Sequence, residues 1–161
     1  MDLTIIVAVS KNNVIGFKGK IPWEIPEDLK RFQRLTLGHP VIMGENTFFS
    51  IMNRNGQPLP KRKNIVLSET LEQKNGIYVA RNIREAIGLA ENQDAYVIGG
   101  ERVYREFLHL ATGMELTRVH VNFEGDAFFP EINEGAWNLT NKEDGLSKQG
   151  IPYSFLTYHR M

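Results

Sequence analysis

Apolar and β-branched residues gather in short runs along the first two thirds of the chain: LTIIVAV after Asp2, PVIMG from Pro40, NIVLS from Asn64, IYVA from Ile77 and AYVIGG from Ala95. Turn-forming Gly, Pro, Asn or Ser residues flank these runs, whose length suits buried strands. Between them, PEDLKRFQRLT, ENTFFSIM, NIREAIGLAE and ERVYREFLHLA carry helical spacing. The alternation predicts an α/β fold, a largely parallel sheet with helices on its faces. The last third changes character. MELTRVHVNFEGDAFF, AWNLTNKED and YSFLTYHR follow one another with no helix between them, as antiparallel strands do. No repeat or low-complexity tract interrupts the pattern, and the polar stretch NRNGQPLPKRK, residues 53–63, is too short to separate two folding units. Residues 1–161 therefore read as one domain.

One helix carries candidate chemistry. Pro26 suits a first helical turn and Gly38 a stop, so a helix is expected from Pro26 to about Thr36. At about 100° per residue, Ile25, Leu29, Phe32 and Leu35 share a side, and Asp28 lies roughly 40° from Phe32, at the edge of that apolar face. Glu27 falls opposite, with Arg31 four residues on, a pairing that suits solvent. Asp28 has two readings: an N-terminal carboxylate favoured by the helix dipole, or a partly buried acid. In the second case it needs a cationic or hydrogen-donating partner, and desolvation lifts its pKa toward the range useful for proton transfer. A second candidate is VIGGERVY, where a glycine pair ends a strand and opens a helix. Open α/β sheets bind ligands at such junctions, and bare N–H groups suit a pyrophosphate, although a tight turn would use the same glycines. It is not the dinucleotide G-x-G-x-x-G fingerprint.

Composition removes several classes of function. Lys+Arg and Asp+Glu both number 19 in 161 residues, so no net field draws in nucleic acid or an anionic membrane, and neither is expected as a partner. The absence of cysteine excludes disulfides and thiolate chemistry and suits a reducing compartment. LTIIVAV is too short to span a bilayer and lacks the basic start and cleavage site of a signal peptide, so a cytoplasmic location is expected. His39, His109, His120 and His159 show no close ligand spacing, and no metal is expected.

Taken together, VIG at Val14–Gly16, PWEIPEDLKRF, PVIMGENTFFSI, LPKRKNIVLS, YVIGGERVY and EGDAFFP, in this order, make the chain resemble dihydrofolate reductases from its first strand to its C-terminus. The resemblance implies a mixed, mainly parallel eight-stranded sheet flanked by helices, and reduction of dihydrofolate to tetrahydrofolate by a nicotinamide nucleotide in one-carbon metabolism. It implies that Asp28 binds the pterin and promotes protonation at N5, directly or through a water, with Thr117 hydrogen-bonded to the acid. Ile6, Val7, Ala8, Leu29, Phe32, Ile51, Leu59 and Ile98 are implied as pocket walls, and Arg62 as the grip on the glutamate tail. On the cofactor side it implies Ala8, Ile15, Gly16, Gly44, Glu45, Asn46, Thr47, Ser68, Gly99, Gly100, Glu101, Arg102, Val103 and Tyr104. GFKGKIPW is implied as a mobile loop over the nicotinamide, the Gly99–Gly100 peptide as cis, and the enzyme as a monomer.

Departures from the family pattern fall on the cofactor side. Glu45 stands where many relatives carry a basic residue toward the adenosine 2′-phosphate, Glu69 follows the serine turn, and Glu101 replaces a small residue after the glycine pair. NADPH is the implied cofactor, and Glu45 and Glu69 open the use of NADH, unless Glu45 swings into solvent while Arg81, Arg102 or Ser68 holds the phosphate. Two other functions stay open: a pyrimidine reductase of riboflavin synthesis on the same fold, and a nonenzymatic pterin-binding module.

Overall fold

A computed structural model describes all of residues 1–161. In chain order the elements are β1 (Leu3–Ser10), β2 (Val14–Gly16), α1 (Pro26–Thr36), β3 (Pro40–Gly44), α2 (Glu45–Asn55), β4 (Lys63–Leu67) and β5 (Tyr78–Ala80). They continue with α3 (Ile83–Leu89), β6 (Ala95–Val97), α4 (Glu101–Phe107), β7 (Gly113–Val119), β8 (Ala127–Phe128), a 3-10 turn (Glu134–Ala136), β9 (Trp137–Leu146) and β10 (Pro152–Arg160).

The main sheet is eight-stranded, ordered β5-β4-β3-β6-β1-β7-β10-β9. From β5 to β7 every neighbouring pair is parallel, and β10 runs antiparallel to both β7 and β9. β6 is inserted between β3 and β1, so the chain reverses its direction of winding there, the kind of place where such sheets open a crevice. One face carries the larger core, with Ile5, Val7 and Val9 of β1, Val97, Phe107 and Met114 all buried. A second cluster around Val41, Met43, Phe48 and Val66 packs beneath α2.

Three expectations need correction. β7 is parallel to β1 and antiparallel only to β10, because its other edge is taken by the first strand. MELTRVHVNFEGDAFF is not one strand: the chain leaves the sheet after Val119, and Ala127–Phe128 pairs with β2 in a separate two-stranded sheet. Gly125 permits that crossing, since a Cβ there would lie 2.2 Å from Val14 Cγ1. The third concerns length. α2 runs to Asn55, where Gly56 caps it at φ 72° and donates to the Met52 carbonyl, which shortens the polar loop. No helix is long and apolar enough to cross a membrane.

Candidate functional site

Alternate residues of a strand share a face, and the register lines up one polar patch on the sheet. Ile6 and Ala8 of β1 stand beside Glu115 and Thr117 of β7, which in turn stand beside Thr157 and Phe155 of β10. Val7 points to the opposite face, into the larger core, so it cannot serve as a side-chain wall here. α1 crosses this patch. Thr117 Oγ1 donates to Asp28 Oδ1 at 2.6 Å, and the Arg31 guanidinium meets Glu115 Oε2 at 2.5 Å. Burial raises the pKa of Asp28 above the usual carboxylate range, while the Thr117 hydrogen bond and the Arg31 charge oppose the rise.

The expected solvent pair of Glu27 with Arg31 does not form. Arg31 is only 12% exposed, stacked 4.6 Å from the Phe155 ring centroid and bonded to Glu115, itself 16% exposed. The physical reason is a rotation of the helix: its polar edge, Asp28 and Arg31, faces the sheet. Leu29, expected on the apolar face, is left 53% exposed, while Ile25 is buried and Phe32 and Leu35 are half-buried. No local pattern marks Glu115 as the partner of Arg31, since they lie 84 positions apart.

Beside this acid, the Tyr104 hydroxyl donates to the Ile6 carbonyl at 2.8 Å in a fully buried position. Burial, aided by the nearby Asp28 charge, drives the Tyr104 pKa far upward, so the phenol stays neutral and serves as a donor. Ile51 of α2, Leu59 and Ile98 gather on the second cluster. Arg62, just before β4, has five N–H donors and gives three of them to protein: to Thr36 Oγ1 at 3.1 Å, the Pro60 carbonyl at 2.7 Å and the Gln33 carbonyl at 2.8 Å. The guanidinium is thus fixed against the end of α1 with two donors left over. Partial burial lowers its pKa, which matters little to a group that stays charged.

At the C-terminal ends of β3 and β6, α2 and α4 both begin on glycine with no side-chain cap, Gly44 and Gly100. The Gly99–Gly100 peptide is cis, as the resemblance implies. A Cβ on Gly99 or Gly100 would press on Thr47 Oγ1 at 3.4 Å, and one on Gly44 would meet Val103 Cγ2 at 3.0 Å. The first bond within α4 is Tyr104 N to the Gly100 carbonyl, so the N–H groups of Glu101, Arg102 and Val103 have no partner inside the helix. Bare backbone, free N–H groups and no capping side chain make a cradle that fits the pyrophosphate of a dinucleotide. Ile15 and Gly16 lie in β2 next to β8, and the turn beyond is tied down. Lys18 N donates to Asp126 Oδ2 at 3.0 Å, and Ser50 Oγ to the Gly19 carbonyl at 3.2 Å.

The three acids that depart from the family pattern are placed differently. Glu101 turns away from the cradle, accepting from Phe128 N at 2.5 Å and from Arg105 at 3.3 Å. Glu69 is exposed. Glu45, the first residue of α2, accepts from Ser68 Oγ at 3.1 Å, and Arg81 Nη1 donates to the Ser68 carbonyl at 3.0 Å. Arg102 instead pairs with Glu106 at 3.0 Å. Asn46 follows Glu45 in the first turn of α2.

Comparison with known proteins agrees with this geometry. The chain is 40% identical to a dihydrofolate reductase of Haloferax volcanii over 97% of its own length and 82% of that protein's. It is also 40% identical to the dihydrofolate reductase of Buchnera aphidicola, with 96% of each chain covered. Its fold superimposes on the dihydrofolate reductase of Enterococcus faecalis, solved with NADP(H) and RAB-propyl, with a TM-score of 0.89, 32% identity, and coverage of 99% of this chain and 96% of that one. Since the family model for dihydrofolate reductase matches residues 2–160, the chain belongs to the dihydrofolate reductase family.

Proposed function

We propose that Asp28 is the acid through which this chain works. The activity of the family is reduction of 7,8-dihydrofolate to 5,6,7,8-tetrahydrofolate, with a nicotinamide nucleotide supplying hydride. The observation that carries the reading is a half-dry carboxylate, its pKa lifted by burial and its position fixed by Thr117, beside the apolar Ile6 and Ala8. Such a group pairs with the donor edge of a pterin, stabilises the positive character that grows on the ring, and promotes protonation at N5. Leu29 and Phe32 flank it on α1, and Ile51 of α2 packs with Leu59 and Ile98 on the second cluster. Arg62, with two donors free and its planar fork fixed, takes the carboxylate of the substrate tail.

The cradle of Gly44, Asn46, Thr47 and Gly99–Tyr104 holds the nucleotide, with Ala8, Ile15 and Gly16 toward its nicotinamide end; the backbone N–H of Glu101, not its carboxylate, is the group on offer. Asp28→Asn is expected to preserve the fold and slow hydride transfer by at least about two orders of magnitude, the scale for a positioned acid–base group, while Glu27→Gln changes little. Equal effects of the two substitutions in single-turnover measurements would remove Asp28 from the mechanism.

NADPH is the proposed cofactor, with weaker discrimination against NADH than a basic residue at position 45 would give. Glu45 does not swing away: Ser68 holds it at the ends of β3 and β4. A carboxylate about 6 Å from one unit of phosphate charge is repelled by roughly 1–3 kcal/mol at an effective dielectric near 20–40. Arg81, anchored on the same serine, offsets part of this. Glu45→Arg should therefore raise kcat/KM with NADPH, leave NADH much less affected, and do so less as salt is added; an unchanged NADPH-to-NADH ratio at low ionic strength would contradict it. The whole chain, 1–161, is proposed to act as one domain and a cytoplasmic monomer.

A further inference from the structure

The face of the sheet beneath α1 bears two polar contacts one helical turn apart. Asp28 and Arg31 are three positions apart on the helix, and Thr117 and Glu115 are two apart on β7, so each helix residue meets its own strand residue. The second contact is built more heavily than the first. Glu115 Oε2 takes hydrogen bonds from Arg31 Nη2 and from Thr157 Oγ1 at 2.8 Å, and the Arg31 guanidinium lies over Phe155, the neighbour of Thr157 two residues along β10.

As a way of fastening a helix to a sheet, this is uneconomical. Desolvating two charges costs nearly as much as their attraction returns, and apolar residues of similar size would pack on Phe155 at least as well. What an apolar pair would not supply is a fixed positive charge one turn from Asp28.

We propose that Arg31 is a positioning residue for the proton chemistry of Asp28, a cation held in register by Glu115, Thr157 and Phe155 that keeps the acid ionisable in its dry setting. This rests on the reading of Asp28 given above. Other groups also face the acid. Thr117 comes from β7, Tyr104 from α4 and Tyr153, which also feels Glu27, from β10, while Tyr96 of β6 feels both Arg31 and Glu115. Among them Arg31 is the one cation whose charge opposes the burial of Asp28. Glu115 does more than hold it, for its own negative charge cancels part of the field that Arg31 would otherwise exert.

The test is the pH profile of hydride transfer, measured in single turnovers with NADPH and dihydrofolate, for wild type, Arg31→Met, Arg31→Lys, Glu115→Gln and Asp28→Asn. Removing the cation leaves burial of Asp28 less opposed, so Arg31→Met should move the midpoint upward, and Arg31→Lys should restore it most of the way. Glu115→Gln keeps the shape and one acceptor but leaves Arg31 uncompensated, so the midpoint should move downward. An unchanged midpoint in a folded Arg31→Met, or shifts of the same sign in Arg31→Met and Glu115→Gln, would overturn the proposal. Should Arg31→Met fail to fold, the Glu115→Gln and Arg31→Lys pair decides: a downward shift in the first with a near-native midpoint in the second supports it, and any other pattern overturns it. Asp28→Asn separates the two layers. If its profile keeps the wild-type midpoint, the reading of Asp28 itself fails; if the midpoint is lost there yet immovable at position 31, only the role of Arg31 fails.

Discussion

Asp28 sits against the sheet with a single side-chain hydrogen bond, to Thr117, and burial lifts its pKa above 3.8, its ordinary value. The consequence for stability follows from linkage. A folded-state pKa above the unfolded one means that the native protein holds its proton more tightly. The contribution of this group is therefore fully present below about pH 3.8 and is lost as pH rises through the raised folded value. Asp28→Asn carries no such dependence. Its stability relative to wild type, read from paired urea melts, should increase between pH 4 and neutrality; a difference that stays flat with pH would show that the acid is not desolvated. The position of Asp28 was legible because it stands at the edge of an apolar helical face. Arg31 was not, because local spacing offered it Glu27 and said nothing of Glu115, a strand residue on the far side of the chain. The direction of the Val7 side chain was not legible for a related reason: a motif matched position by position carries both faces of a strand, and only Ile6 and Ala8 share the face of Thr117.

At the level of elements, β2, β8 and the turn from Phe17 to Lys20 form a unit set apart from the main sheet. Its closure depends on Gly125, over which Val14 packs, and on Asp126, whose carboxylate accepts from Lys18 N and whose own N–H donates to the Gly16 carbonyl. An added methyl at position 125 has nowhere to go. Gly125→Ala should cost about 1–3 kcal/mol, the range for overpacking, which at ~2–4 °C per kcal/mol for a protein of this size lowers Tm by several degrees. It should also slow hydride transfer, since the displaced β2 bears Ile15 and Gly16; a native Tm would mean that the loop yields freely. β3 was readable to the residue, because PVIMG is apolar throughout and is followed at once by a helix. β7 was legible as a strand antiparallel to the C-terminal strand β10, but not as the parallel neighbour of β1. An alternating or apolar run reports how much of a strand is buried, not which strands flank it, and β1 is more than a hundred residues earlier in the chain.

Across the whole molecule, the last strand closes the fold. Arg160 stacks 4.4 Å from the Trp137 ring centroid and donates from Nε to the Ala111 carbonyl at 2.7 Å and from Nη2 to the Leu108 carbonyl, tying β10 to the end of α4. Arg160→Met keeps the stem but loses both bonds and the stacking. About 2 kcal/mol of stability should go with them, with little change in KM for dihydrofolate; a comparable loss of substrate affinity would mean that the tie also shapes the site. The same closure sets β7 between β1 and β10, and so aligns Ile6, Thr117 and Phe155 under α1. We propose that the dry carboxylate of α1 governs reduction of the pterin. Single-turnover hydride transfer from NADPH to dihydrofolate, followed from pH 5 to 9 for wild type and Asp28→Asn, addresses it directly. The wild-type profile should show one midpoint above the ordinary carboxylate range, absent from Asp28→Asn, whose rate is lower by at least about a hundredfold at the wild-type optimum. An Asp28→Asn enzyme that reduces dihydrofolate at a near-native rate, or retains the same midpoint, would contradict it.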